Sequence, residues 1–140
     1  SFSYEMMCMG REKLEYHMEE IRKKGDAATK KEQDMIKDMK IVQEMYARGF
    51  EFEPLDLYQA DAHRFQIVNG KLMPSLDAIE GLGDKAADAV VSAAKEGTFL
   101  SKDDFRMRTK VSKTVIDLMD DMHLFGDIPN SNQMSLMDFI

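Results

Sequence analysis

Of its 140 residues the chain spends one on cysteine, three on proline, three on histidine and none on tryptophan. A single thiol, Cys8, excludes an internal disulfide framework, and one cysteine with three histidines argues against a structural zinc site. No apolar run approaches the roughly 20 residues of a membrane-spanning helix. Scarce proline, 44% hydrophobic and 32% charged residues exclude a collagenous, mucin-like or fully disordered chain. Positive charge is also short, 19 Lys and Arg against 26 Asp and Glu, a net −7. That balance argues against coating nucleic acid by bulk charge and leaves a local phosphate contact open. The start, Ser1–Gly10, is mixed and carries Glu5, so it has no signal-peptide pattern. The chain opens on Ser rather than Met; a piece of a longer cytoplasmic protein, with no membrane partner, is expected. What is plentiful is methionine: 13 residues, suited to a compliant helical core or, alternatively, an adaptable binding face.

Leu14, Met18 and Ile21 share one face of a helix over Gly10–Lys24, with Gly25 past its end and Arg22-Lys23-Lys24 in its last turn. Thr29 and Glu32 form a capping box for a second helix, striped by Met35, Ile36, Met39, Val42 and Tyr46 and ended by Gly49. The short connection between them predicts an antiparallel helical hairpin. Residues 50–64 lack a helical period and read as a linker crossing a surface. Phe65 and Ile67 alternate with Gln66, and Asn69-Gly70 sits between apolar flanks, which predicts a small β hairpin closed by Pro74. Helices return after Ser75, with Ser101 and Ser112 as N-caps and Gly126 and Pro129 as stops. The expected fold is mainly α, in four parts: a helical hairpin (1–49), linker and β hairpin (50–74), a tandem helix-hairpin-helix region with a degenerate second copy (75–128), and a tail (129–140).

The stretch 76–90, LDAIEGLGDKAADAV, carries the chemistry. Gly81 and Gly83 permit a tight turn and a close approach to another chain. The amides of that turn and of the following helix N-terminus converge on an anion, aided by the helix dipole. Leu82 anchors the turn inward, and Ala86, Ala87 and Ala89 let two helices come close. This pattern resembles the helix-hairpin-helix motif, which implies contact with the phosphate backbone of duplex DNA without sequence readout. Asp84 is an acid beside the proposed phosphate; it caps the helix or is offset by Lys85. In the second copy, Phe105–Ile116, the residues Arg106, Arg108, Lys110 and Lys113 are basic with no acid among them. Thr109–Ser112 replaces the glycine turn there, and Thr109, the Ser112 and Thr114 hydroxyls and the local amides join the candidate phosphate surface. A solvated basic face is the alternative.

The blocks RGFEFEPLDLY (48–58), FQIVNGKLMPSL (65–76), IEGLGDKAADAV (79–90), EGTFLSKDDFRMRTKVSKTVIDLM (96–119) and GDIPNSNQMSL (126–136) run in the order of the C-terminal end of PolC-type enzymes. These are the replicative DNA polymerase III alpha chains of low-GC Gram-positive bacteria, and the chain resembles them from about Gly25 onward. The resemblance implies a parent polymerase whose palm carboxylates, with Mg²⁺, lie upstream of this segment. The fragment alone then has no catalytic residue and no cofactor. Its first half follows the fingers region, and its second half grips the primer–template duplex. The tail resembles a sliding-clamp docking peptide at Gln133, Met134, Ser135, Leu136 and Met137. Met137 stands where the family has Phe, so either it or Phe139 fills the clamp pocket; alternatively Leu136 and Phe139 fold back on the domain.

Weaker candidates remain beside these. His17 and Glu20 have an i, i+3 spacing without a second helix partner and read as a solvated face. His63 and His123 stand alone in sequence, and Cys8, between Met7 and Met9, reads as a buried inert thiol. A helix-hairpin-helix glycosylase would need a catalytic Asp on a larger scaffold after the hairpin. A helical module that binds protein instead of DNA is the remaining alternative.

Overall fold

The computed structural model describes residues 3–131. Among them are six α-helices and one two-stranded antiparallel sheet. The mainly α class and the small sheet agree with the sequence. None of these helices is long and apolar enough to cross a membrane.

The chain opens with a helix that its sequence pattern does not announce, α1 (Tyr4–Cys8), started by Ser3, whose Oγ accepts from the Met6 amide. Five residues do not hold a helix in water. Tyr4, Met6 and Met7 are buried, and the Tyr46 hydroxyl donates to the Met7 carbonyl at 2.6 Å. The Tyr4 hydroxyl in turn accepts from the Leu55 amide at 3.0 Å. Long-range contacts therefore hold α1.

Gly10, at φ 91°, turns the chain into α2 (Arg11–Lys24), which buries Leu14 and Met18. The capping box starts α3 (Lys30–Ala47) as expected: the Glu32 amide donates to Thr29 Oγ1, and the Thr29 amide to Glu32 Oε1, both at 3.1 Å. Lys24 meets Glu32 at 2.6 Å where the two helices join, and Glu15 lies near Gln43 toward their other ends. This is the antiparallel hairpin, with Met39 and Val42 buried.

Residues 50–64 are irregular, as read, but they do not merely cross a surface. Leu55, Leu57, Ala60 and Ala62 are buried in the common core, in a pattern without helical period. Phe52 bridges Leu72 in parallel, through Glu53 N–H to Leu72 O (2.8 Å) and Leu72 N–H to Glu51 O (2.9 Å). The hairpin β1 (Gln66–Val68) and β2 (Lys71–Met73) pairs Val68 with Lys71 across two residues. Asn69 and Gly70 both have positive φ, 54° and 76°, matching the twist of the flanking strands. Met73 enters the core while Ile67 stays 79% exposed.

A 3-10 turn at Leu76–Ala78 leads to α4 (Asp84–Glu96), α5 (Lys102–Thr109) and α6 (Lys113–Asp121). Ser101 Oγ accepts from the Asp104 amide (2.9 Å) and Ser112 Oγ from the Val115 amide (3.3 Å), so both predicted caps are present. An aromatic row joins these elements: Phe99 and Phe105 at 4.8 Å, Phe105 and Phe125 at 5.0 Å, with Tyr58 stacked on Phe99. Pro129 and Asn130 accept the Lys102 and Asp103 amides, which pins the chain after α6 to the start of α5.

Candidate nucleic-acid interface

The turn 79–83 is held from inside by three apolar anchors. Leu76, Ile79 and Leu82 are all buried, and the Leu82 amide donates to the Ile79 carbonyl at 3.1 Å. Leu82 points inward as the pattern required. Gly81 has φ 85°, where a side chain is strained, and a Cβ there would sit 3.1 Å from Val115 Cγ2. The first hairpin therefore rests directly on α6. Ala87, one turn into α4, is fully buried, while Gly81, Gly83, Asp84 and Lys85 face solvent.

Gly83 is the N-cap of α4, at φ −74° and ψ 174°, with no side-chain cap. The first-turn amides of α4 have no partner inside the helix. In α5 and α6 a serine hydroxyl takes one of these donors; in α4 no side-chain cap takes them among the described residues, and Lys85 and the positive end of the helix dipole lie at the same end. The hairpin also forms one wall of an open cleft of about 600 Å³, faced by Lys31, Met35 and Asp38 of α3.

Asp84 does not cap the helix, because Gly83 holds the cap position. Its carboxylate lies 3.8 Å from Nδ1 of His63. His63 also reaches Asp77 through Nδ1 at 3.3 Å and Asp88 through Nε2 at 2.8 Å. The hydrogen bonds to Asp77 and then Asp88 hold its pKa above the ordinary histidine value. Sequence reasoning left His63 isolated; its partners are 14 and more residues away, and only the folded chain assembles them. The ligand atoms of His63, Asp77 and Asp84 lie within 4.8 Å of one another, but they already satisfy each other as ion pairs, and no metal is assigned to them.

In the second unit, Lys110 ends α5 in the left-handed region at φ 64°, and its amide donates to the Arg106 carbonyl. Arg106, Lys110, Ser112 and Lys113 are exposed around that turn. Arg108 and Thr109, expected on the same surface, face inward instead. The Arg108 guanidinium donates to the carbonyls of Ala93, Gly97 and Thr98 and to Asp104, and lies 4.6 Å over the Phe99 ring. It closes the C-terminus of α4, where carbonyls lack helical partners. The Thr109 hydroxyl is buried, donates to the Phe105 carbonyl at 2.7 Å and accepts from the Val111 amide at 3.3 Å. The exposed cations of this unit are therefore Arg106, Lys110 and Lys113. Gln133, Met134, Ser135, Leu136, Met137 and Phe139 lie outside the described residues.

Cys8 is half-buried, and desolvation pushes its thiol up to about 11, as expected for an inert group.

Two hairpin turns, each leading into a helix and stacked on each other, define a helix-hairpin-helix protein. The chain belongs to the helix-hairpin-helix motif family, which matches residues 49–134. It is also homologous to a segment of proteins named DNA polymerase III PolC-type. The relative from Caldanaerobacter subterraneus subsp. tengcongensis is 40% identical over 135 residues, 96% of this chain. That from Streptococcus pyogenes serotype M12 (strain MGAS2096) is 41% identical over 140 residues, 99% of this chain. The chain spans 10% of the length of each of these relatives.

Proposed function

We propose that this chain is a non-catalytic part of a PolC-type replicative DNA polymerase that grips the primer–template duplex through backbone phosphates. The observation that carries this reading is the uncapped N-terminus of α4 behind the Gly81-Leu82-Gly83 turn. A buried leucine, a positive-φ glycine and open amides form a phosphate cradle that reads no base. The exposed Arg106, Lys110 and Lys113 add cations from the adjoining unit, and Ser112 and Lys85 complete the surface. The polymerase chemistry, with its Mg²⁺ and palm carboxylates, belongs to the remainder of the parent chain, in the cytoplasm.

The tail extends the reading. Gln133, Met134, Ser135, Leu136 and Met137, with Phe139, form a linear peptide for the bacterial sliding clamp, its apolar anchors entering a groove. A chain truncated after Ser131 then loses clamp binding and keeps duplex binding.

A labelled primer–template duplex titrated across low salt concentrations tests the grip. Each phosphate that the protein no longer neutralises flattens the log K against log salt slope by about 0.9. Replacing Arg106, Lys110 and Lys113 by Gln together is expected to flatten it by about two to three, roughly one per cation. A slope that does not change, or no binding by the wild type at low salt, favours the other reading, a helical module that binds protein.

A further inference from the structure

His63 lies on the loop before β1, outside both hairpin units, yet its ring sits among three carboxylates. Nδ1 is 3.3 Å from Asp77 Oδ2 and 3.8 Å from Asp84 Oδ1, and Nε2 is 2.8 Å from Asp88 Oδ1. Asp77 belongs to the 3-10 turn that leads into Gly81; Asp84 and Asp88 stand on the first two turns of α4. Both ring nitrogens face acceptors, so only the doubly protonated imidazolium donates in both directions. The neutral ring leaves one lone pair against a carboxylate.

The other charges around the ring are few. Asp61, on the same loop, accepts the His63 amide; Arg64 follows in the chain, and Lys85 flanks Asp84 on α4. The Ser75 hydroxyl donates to the second oxygen of Asp77. Without charge on His63, Asp77, Asp84 and Asp88 form an uncompensated acidic cluster at the start of α4, with Lys85 the cation beside it on that helix and Lys31, Asp38 and Glu80 lining the cleft at the turn. A phosphate arriving there meets like charge inside a Debye length, about 10 Å at 0.1 M salt.

We propose that protonated His63 is the positioning residue of the first hairpin's phosphate site: it ties back Asp77, Asp84 and Asp88 as ion pairs, so that duplex DNA binds tightly below the titration of His63 and weakly above it. This inference rests on the duplex-gripping reading. The sign follows from the chemistry. Loss of the ring proton to solvent adds one unit of negative charge to the site. The ion pairs also place the titration above the ordinary histidine value.

The test is duplex affinity at fixed low ionic strength as pH rises from about 6 to about 9, bracketing a raised histidine pKa. Wild type, His63→Gln and His63→Lys are compared, with the ring titration followed by NMR without DNA. Wild-type affinity is expected to fall about three- to tenfold with rising pH, the effect of one partly screened charge. His63→Gln should be flat at the weak level and His63→Lys flat at the tight level, a rescue that a merely structural role does not predict. An unchanged pH dependence in His63→Gln, or an ordinary ring titration, overturns the proposal. Binding by all three proteins without pH dependence overturns it alone; no duplex binding at any pH overturns the gripping reading with it.

Discussion

Gly83 offers a substitution that separates stability from DNA binding. It occupies the N-cap of α4 with the extended backbone, φ −74° and ψ 174°, that serine adopts at such positions, and nothing lies within 4 Å of a Cβ there. In Gly83→Ser the new hydroxyl accepts the Ala86 amide, as Ser101 and Ser112 already do for α5 and α6. A serine cap exceeds glycine by a few tenths of a kcal/mol. Removing glycine from the unfolded chain adds about 0.4–1 kcal/mol. A gain near 1 kcal/mol raises Tm by about 4 °C in a chain of this size. The same hydroxyl fills one of the donors assigned to phosphate, so duplex affinity at low salt should fall about five- to tenfold, while the salt slope, set by the cations, stays nearly unchanged. Gly83→Asp takes the same donor and adds a charge, so its loss of affinity should be larger. The assays are thermal melting and a fluorescence titration of labelled duplex on the same preparations. A Gly83→Ser protein that melts higher and binds DNA with undiminished affinity would refute a phosphate role for the α4 amides.

Other perturbations follow from the packing. Arg108→Lys keeps the charge but loses the fork over Ala93, Gly97 and Thr98; it should cost about 1–3 kcal/mol in denaturant titrations and leave the salt slope of duplex binding unchanged. Phe105→Ala removes the centre of the aromatic row and should cost about 3–5 kcal/mol, read by the same unfolding curves. The Lys24 ammonium, then the Thr29 amide, hold the Glu32 carboxyl below its usual pKa. Its stabilisation is therefore complete above about pH 4.3, the ordinary glutamate value, and lost as pH falls through the lowered one. Helical circular dichroism should show that acid-side loss in the wild type and less of it in Glu32→Gln. Cys8, with its thiol pushed up to about 11, should alkylate at pH 8 at least about tenfold more slowly than a free thiol, by mass spectrometry.

Local signals were legible because their geometry is local. Thr29 and Glu32 lie one turn apart, Asn69-Gly70 has few alternatives to its turn, and Ser101 and Ser112 each bond an amide three residues on. The inward Leu82 was legible from its place between two glycines. What sequence missed is tertiary. Helix α1 exists through the Tyr46 hydroxyl and a buried face, neither visible in a five-residue segment. Leu55, Leu57, Ala60 and Ala62 are buried without following a helical period. Arg108 looked like one of four equivalent cations, although its i, i+4 spacing from Asp104 hinted at an internal pair. His63 had no local signal at all.

The close approach of Gly81 to Val115 couples the two hairpin units. A methyl added at Gly81 meets a side chain of α6, so part of its cost is set by a residue in the other unit. Val115→Ala would return that part and leave the backbone strain. The two substitutions should therefore combine non-additively, as contacting residues do. Grafting the first unit without α6 would deprive its glycine turn of the Val115 side chain against which it is shaped. The smallest cooperative piece of this region spans both turns, and variation in either is constrained by the other.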